Sequence, residues 1–381
     1  MSIDVMLQEF AQIANHPKQQ LQKYKASGKK VIGIMPYYVP EELVYAADMV
    51  PMGLWGTNKK TISMAREYCA SFYCSLMQLN LEMLLDGTLD QLDGVITPTM
   101  CDTLRPMSQN IRVSIGDRIP AIFLAHPQNR FGDIGKEFTV HQYTKVKKEL
   151  ENISGQEISD KAFQNAIRVY NKSRTARREF VRLAGKHPEA VSAVQRSAVL
   201  KASWFMLKDE YTAKLAVLNT ELRNLPESTW DGVKIVTSGI ICDNPNLLML
   251  FDRYKIAIAA DDIAHESRSF RVDAPEAGDP MRALAQHFAD QGCDSIIYDC
   301  EPTKHLRSKH LIKMVQKSGA QGMLLFMMQF CDPEETDYPY LKTDFDIAGI
   351  PLIRMGLDLQ MRDFAQIETS LQTFVNIASV H

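Results

Sequence analysis

Short apolar runs alternate with helix-length stretches in the first part of the chain. Residues 30–35 form an apolar run that ends at Pro36, and similar runs follow at residues 93–98 (DGVITP) and 118–127. Between them, residues 74–85 have apolar side chains at helical spacing and end before Asp86 and Gly87. Alternating strands and helices predict a parallel sheet.

A change of pattern divides the rest of the chain. From about residue 142 to residue 223, Lys, Glu, Arg and Ala dominate, which predicts long helices with solvated faces. After Trp230 five apolar runs follow: VKIVTSGI, YKIAIAADD, CDSIIYDC, GMLLFMMQF and IPLIRMGLD. The prediction is an α/β fold with two Rossmann-like parallel-sheet lobes joined by a helical segment. A first lobe with an N-terminal helix takes residues 1–141, the helical segment 142–229, and the second lobe 230–381.

Charge and hydropathy narrow the possible partners. The 381 residues include 43 basic and 46 acidic side chains, so no global field favours nucleic acid or an anionic membrane. No apolar segment approaches the roughly 20 residues that span a bilayer. The N-terminus lacks the basic start and apolar run of a signal peptide. We expect a cytoplasmic protein that binds neither nucleic acid nor membrane.

Three of the seven cysteines occupy places where ligands collect. An odd number of cysteines without a secretion signal predicts reduced thiols, most of them simple packing residues. Cys101 and Cys331 follow predicted strands, and Cys74 begins a predicted helix, so all three could reach one crevice. Spacing alone leaves three unrelated packing cysteines equally open. The close Cys pairs typical of zinc sites are missing. We expect the remaining four to be packing residues: Cys69, Cys242, Cys293 and Cys300.

Aspartate follows two of these cysteines, in TMCDTLRP and QFCDPEETDYP. An adjacent carboxylate does not lower a thiol pKa, so the pairs do not suit a nucleophile. We expect Asp102 and Asp332 to cap the turns that follow while the sulfur binds metal, and CDPEETDYP to form a polar turn.

Two other polar clusters follow predicted strands, ADDIAHESRSFR at 260–271 and HPQNR at 126–130; either could be a salt-bridge network or a functional loop. The motifs GxxxxGK[ST], GxGxxG and GxSxG do not occur.

Four segments together resemble one family. YCSLMQ, LDGVITPTMCDTLRP, ADDIAHESR and MMQFCDPEETDYP are similar to the beta subunits of 2-hydroxyacyl-CoA dehydratases, relatives of benzoyl-CoA reductase. The similarity runs from GKKVIGIMP to IPLIRMGLD. It implies a 4Fe-4S cluster on Cys74, Cys101 and Cys331, with a fourth ligand that is not cysteine. Gln78 stands where many related subunits have arginine, which favours the dehydratase branch and puts in doubt any contact that this arginine makes.

The resemblance implies a radical lyase. Members work as alpha–beta heterodimers reduced by a separate ATP-hydrolysing iron–sulfur activator, which agrees with the missing phosphate loop. One electron converts the thioester to a ketyl radical that expels the 2-hydroxyl in a syn-type elimination, and the electron then returns. The leading substrate is (R)-2-hydroxyglutaryl-CoA, which gives glutaconyl-CoA. The resemblance also brings a flavin (FMN) in the holoenzyme into consideration. Candidate catalytic residues in this chain are Asp262, Glu266 and Arg268.

Several alternatives stay open at this point. Lactoyl-, phenyllactoyl- and 2-hydroxyisocaproyl-CoA dehydratases would have similar sequences, because we expect the specificity pocket to lie largely on the alpha subunit. A benzoyl-CoA-reductase-like subunit would also hold the cluster but would transfer electrons permanently. A zinc protein and a cluster-free binding or scaffold protein are the remaining classes.

Overall fold

Two four-stranded parallel sheets form the framework of the molecule. The structure is a computed structural model that describes residues 2–297, 299 and 301–378. The first sheet contains β1 Val31–Ile34, β2 Val50–Gly53, β3 Gly94–Pro98 and β4 Ala121–Leu124. The second contains β5 Val233–Gly239, β6 Ile256–Ile263, β7 Gly322–Met328 and β8 Leu352–Leu357. The spatial orders are β2-β1-β3-β4 and β6-β5-β7-β8, so both sheets repeat one arrangement. The predicted fold class is confirmed.

Helices cover both sheets and connect them. In the described part of the chain they are α1 Ile3–Asn15, α2 Pro17–Ala26, α3 Glu41–Ala46, α4 Ser75–Leu85, α5 Leu104–Ile115, α6 Gly132–Ser154, α7 Asp160–Lys186, α8 Ala193–Ala202, α9 Lys208–Arg223, α10 Pro245–Arg253, α11 Pro280–Ala289, α12 Leu306–Ser318, α13 Asp332–Ile347 and α14 Ala365–Ala378. Helix α7 packs against α9, against α3 of the first lobe and against β6 of the second. The long helices therefore join the two sheets.

Burial explains the continuous apolar runs of the central strands. Every residue of β3 and of β7 is buried, because helices lie on both faces of each sheet. The edge strand β8 instead alternates buried and more exposed positions. At Gly185 in α7, a Cβ would lie 2.4 Å from the carbonyl oxygen of Ala259 in β6. Only glycine allows the helix to approach the sheet this closely.

Three local predictions are wrong. The CDSIIYDC run at 293–300 is not a strand: the described residues 293–297 and 299 are turn and irregular backbone, and residues 298 and 300 lie outside the described part. CDPEETDYP is not a polar turn but the first part of α13, with Pro333 in the first helical turn. Strand β2, which contains Pro51, was not predicted. It pairs in parallel with β1 at the edge of its sheet, where a proline is tolerated.

The helical segment begins earlier than its predicted range, because α6 starts at Gly132. The predicted boundary after residue 141 thus falls inside this helix, and the division into three parts stays a prediction. In the described part of the chain, none of the helices combines the length and the apolar character needed to cross a membrane.

Candidate functional site

Three cysteines from the two lobes lie in one region at the carboxyl ends of the strands. Cys101 follows β3, Cys331 follows β7, and Cys74 immediately precedes α4. All three are half-buried and pack against the same hydrophobic core. Cys101 acts electrostatically on Cys74, and both act on Cys331. The structure therefore brings the predicted trio together.

Two neighbouring side chains hold Cys74 in place. Cys74 is the N-cap residue of α4, as the sequence pattern predicted, and the backbone N–H of Met77 points at its sulfur. Gln78, one turn into the helix, donates a 2.6 Å hydrogen bond to the carbonyl of Tyr73 and thereby fastens the segment that carries Cys74. The buried hydroxyl of Ser75 accepts a hydrogen bond from the backbone N–H of Leu359 at 3.1 Å. Because Leu359 follows β8, Ser75 links the first lobe to the second beside the cysteine.

Backbone N–H groups also point at the other two sulfurs. The N–H of Leu104 donates to Cys101 Sγ at 3.4 Å, and the N–H of Glu334 points at Cys331. The expected capping by Asp102 and Asp332 does not occur: neither side chain makes a capping hydrogen bond, and Cys331 is itself the N-cap residue of α13. Cys74 and Cys331 thus occupy N-cap positions, whereas Cys101 lies two residues before the N-cap Thr103 of α5.

The surroundings of the three thiols favour their neutral form. Burial raises the pKa of Cys74 to about 12, and it also raises the pKa of Cys101 and Cys331 above the usual range. The charge that acts most on Cys74 is the neighbouring Cys101, followed by Asp358, and the charge that acts most on Cys331 is Glu334; all of them raise the pKa further. A bound metal would supply the positive charge that keeps the sulfurs deprotonated. The donor set therefore fits a metal centre.

The spacing of this donor set does not suit a single metal ion. Among the described residues, no group of three or more His, Cys, Asp or Glu side chains is placed to hold one ion. Ligands of one zinc ion lie about 2.3 Å from the metal, so their sulfurs lie within about 4 Å of one another. In an iron–sulfur cluster each cysteine binds a different iron, so the sulfurs can lie farther apart. Sulfurs that do not converge on one ion are compatible with a cluster.

The remaining cysteines do not belong to this group. Burial raises the pKa of Cys69 to about 11, with the side chain of Asn110 as its hydrogen-bond partner. Cys242 is buried in the core of the second lobe. Cys293 lines the same cleft as Cys101, and its thiol lies 3.7 Å from the carbonyl oxygen of Leu306. Cys300 lies outside the described residues.

Two of the candidate catalytic residues, Asp262 and Arg268, are buried together behind the cysteines. Arg268 Nη2 lies 3.0 Å from Asp262 Oδ2, and Arg268 Nη1 lies 2.9 Å from Asp294 Oδ1. Asp294 in turn accepts hydrogen bonds from the hydroxyls of Tyr37 and Tyr38 in the first lobe, at 2.8 and 2.6 Å. The guanidinium group of Arg268 holds the pKa of Asp294 down at about 2, against burial. The hydrogen bonds from the two tyrosines to Asp294 cross the contact between the lobes.

The third candidate, Glu266, lies in a separate buried network. Arg196 binds both Glu266 and Asp261, and burial raises the pKa of Glu266 to about 7. His265 beside it is stacked on Trp204, and burial lowers its pKa to about 3. The cluster at 260–271 is thus a salt-bridge network, one of the two interpretations that the sequence allowed. The catalytic roles of Asp262, Glu266 and Arg268 stay a prediction.

A cleft of about 1190 Å³ lies between the lobes and has Cys101 in its wall. The loops after β3 and β4 form one side, where Arg130 of the HPQNR cluster donates to the carbonyl of Gln291. The segment before α12 and the first turns of α13 form the other side. Seven carboxylates and four arginine or lysine side chains line the cleft. Its wall is therefore acidic overall.

Glu334, Asp294 and Arg307 take part in this site and were missed by the sequence analysis. Each is buried and joins segments distant in the sequence. The only sequence signal was the position of Glu334 in the segment that follows Cys331. That segment was interpreted as a turn, where a glutamate would be exposed to solvent.

Comparison with known proteins gives consistent matches over the whole chain. Residues 36–377 match the family model described as 2-hydroxyglutaryl-CoA dehydratase, D-component. The beta subunit of (R)-2-hydroxyglutaryl-CoA dehydratase from Acidaminococcus fermentans is 56% identical, over 98% of this chain and 99% of its own length. The (R)-phenyllactyl-CoA dehydratase beta subunit from Clostridium sporogenes is 40% identical, over 97% of this chain and 98% of its own length. The lactoyl-CoA dehydratase subunit beta from Anaerotignum propionicum is also 40% identical, over 98% of this chain and 99% of its own length.

Proposed function

The chain belongs to the family of the 2-hydroxyglutaryl-CoA dehydratase D-component, and on that premise we propose that it is the iron–sulfur beta subunit of a 2-hydroxyacyl-CoA dehydratase. It is a subunit of a dehydratase, a hydro-lyase that works as a heterodimer. In the proposed function it holds a 4Fe-4S cluster and relays an electron from an ATP-dependent activator to its partner subunit. The leading substrate of the complex is (R)-2-hydroxyglutaryl-CoA.

The observation that carries this proposal is the convergence of three cysteines from two lobes. Cys74, Cys101 and Cys331 act on one another electrostatically, and each has a backbone N–H directed at its sulfur. The neighbouring cysteines and carboxylates raise the pKa of the three thiols, and a bound cation would stabilise them as thiolates. A bound cluster would supply a one-electron carrier of low potential.

The residues of this chain would bind and orient the carrier. Gln78 and Ser75 fix the segment of Cys74, while the N–H of Leu104 and that of Glu334 stabilise negative charge on Cys101 and Cys331. Burial of the three thiols against the hydrophobic core limits access of water.

The acidic cleft supports placing the acyl-CoA on the partner subunit. Coenzyme A carries several phosphate charges, and a wall with more carboxylates than basic groups repels them. The preference for the 2-hydroxyglutaryl substrate rests on the higher identity to that dehydratase, 56% against 40% for the phenyllactyl and lactoyl enzymes. FMN in the holoenzyme stays a prediction.

Iron and sulfide analysis together with EPR tests the proposal. The heterodimer is purified without oxygen as wild type and as Cys74→Ala, Cys101→Ala and Cys331→Ala, with Cys69→Ala as the matched control. We expect each of the three variants to lose iron and sulfide from this subunit, and the control to keep the wild-type content. An intact cluster in all three variants, or zinc in place of iron, would refute it.

The reaction is tested with the same complex and its activator. We expect dehydration of (R)-2-hydroxyglutaryl-CoA without net consumption of reductant, and slower turnover of the lactoyl, phenyllactoyl and 2-hydroxyisocaproyl thioesters. Stoichiometric consumption of reductant would instead indicate a reductase of the benzoyl-CoA type.

A further inference from the structure

Glu334 is a fully buried carboxylate three residues after Cys331. Its side chain is 0% exposed, and its position in the first turn of α13 directs its backbone N–H at the sulfur of Cys331. Among charged side chains it acts most strongly on the Cys331 thiol. Glu335, the next residue in the same helical turn, is exposed.

Two arginines lie beside the Glu334 carboxylate. Its Oε1 lies 3.4 Å from Arg307 Nη2 and 3.5 Å from Arg268 Nη2. Its Oε2 is buried and has no hydrogen-bond partner. Burial raises the pKa of Glu334, and the two guanidinium groups oppose this shift and favour the ionised form.

The surrounding network is nearly balanced in charge. Asp262 binds Arg268 and Arg271 at 3.0 and 2.9 Å, and Asp337 binds Arg307. Three guanidinium groups thus face four carboxylates, namely Arg268, Arg271 and Arg307 against Asp262, Asp294, Glu334 and Asp337. With Glu334 ionised the network carries one net negative charge, and Glu334 is its member nearest to Cys331.

We propose that Glu334 is a positioning residue that places a fixed negative charge behind Cys331 and thereby lowers the reduction potential of the centre held by the three cysteines. The potential of a cluster depends on nearby charge, on hydrogen bonds to its sulfurs and on solvent exposure. A buried anion opposes the addition of an electron, and in a buried site solvent screens it little. This inference rests on the proposed function, because it needs an iron–sulfur cluster at this site.

Potentiometric EPR titration of the anaerobic heterodimer tests the proposal. The signal that disappears in Cys331→Ala identifies the cluster of this chain. In Glu334→Gln we expect its potential to rise by about 59 mV, which corresponds to a tenfold change in the one-electron equilibrium constant. Glu334→Asp, which keeps the charge, and the exposed control Glu335→Gln should both stay close to wild type.

The variant Arg307→Gln provides an independent test, in which the reduction potential should shift in the opposite direction. Removing this cation leaves Glu334 less compensated, so we expect the potential to fall. Unchanged potentials in both Glu334→Gln and Arg307→Gln would overturn the proposal, and so would loss of the cluster in both, which would indicate a purely structural role. Absence of iron and sulfide from the wild-type chain would instead refute the proposed function itself.

Discussion

His265 is a buried histidine whose burial opposes protonation. Its pKa is lowered from 6.5 to about 3, chiefly because it is desolvated between Trp55 and Trp204. The unfolded chain binds a proton below about pH 6.5 and the folded chain does not, so this residue lowers stability as pH falls from 6.5 towards 3. Between pH 7 and pH 5 the loss is about 2 kcal/mol.

The variant His265→Phe keeps an aromatic ring but cannot titrate. Both proteins lose free energy of unfolding between pH 7 and pH 5. We expect the loss in the variant to be about 2 kcal/mol smaller than the loss in wild type. Urea unfolding of the heterodimer at the two pH values measures the difference. The exposed His16→Gln serves as control and should follow wild type; parallel losses in His265→Phe and wild type would contradict the prediction.

At the scale of single residues, local pattern made Cys101 and Cys331 candidates, the family resemblance selected the trio, and neither predicted its surroundings. Cys101 and Cys331 could be singled out because each follows an apolar run whose end is readable locally. Asp294 could not, because its partners Tyr37, Tyr38 and Arg268 come from distant segments. Which carboxylate pairs with which arginine depends on the packing of the lobes and not on local pattern.

Contact between α7 and β6 depends on one glycine. A Cβ at Gly185 would lie 2.4 Å from the carbonyl oxygen of Ala259 and 3.0 Å from its carbonyl carbon, both backbone atoms that cannot rotate away. In Gly185→Ala the helix and the strand must move apart. We expect a loss of about 1–3 kcal/mol in the free energy of unfolding, measured by urea titration of the complex.

Gly356 in β8 offers a matched control. A Cβ there would meet no atom within 4 Å, so Gly356→Ala adds the same methyl group without a clash. It should cost far less than Gly185→Ala. Equal losses would mean that α7 and β6 can separate at little cost.

Element predictions succeeded where one local pattern decided the outcome. The central strands β3 and β7 were readable because their burial on both faces requires continuous apolar runs. The run at 293–300 differs from them in containing two aspartates; in its described part Asp294 binds Arg268, and residues 293–297 do not form a strand. Helix α13 was mistaken for a turn because Pro333 and Pro339 indicate turns, although proline is well tolerated at the start of a helix.

On the scale of the whole molecule, the proposed metal centre lies on the contact between two lobes with the same strand order. Cys74 and Cys101 come from the first lobe and Cys331 from the second. Ser75 and the pair Tyr37 and Asp294 also join the lobes near this centre. The alternation of strands and helices predicted each lobe, but the apposition of the lobes follows from these long-range contacts.

A centre that binds both lobes should also hold them together. Removing the metal leaves three desolvated thiols beside the polar contacts of Ser75 and Asp294 that join the lobes, so local opening becomes easier. After anaerobic chelation we expect amide hydrogen exchange to accelerate at least tenfold in peptides around residues 35–38, 74–78 and 328–335. Peptides of α9, which packs on α7 away from the cysteines, provide the internal control and should keep their rates. Uniform acceleration across the chain would indicate global unfolding, and unchanged rates around the cysteines would show that the lobes do not depend on the metal.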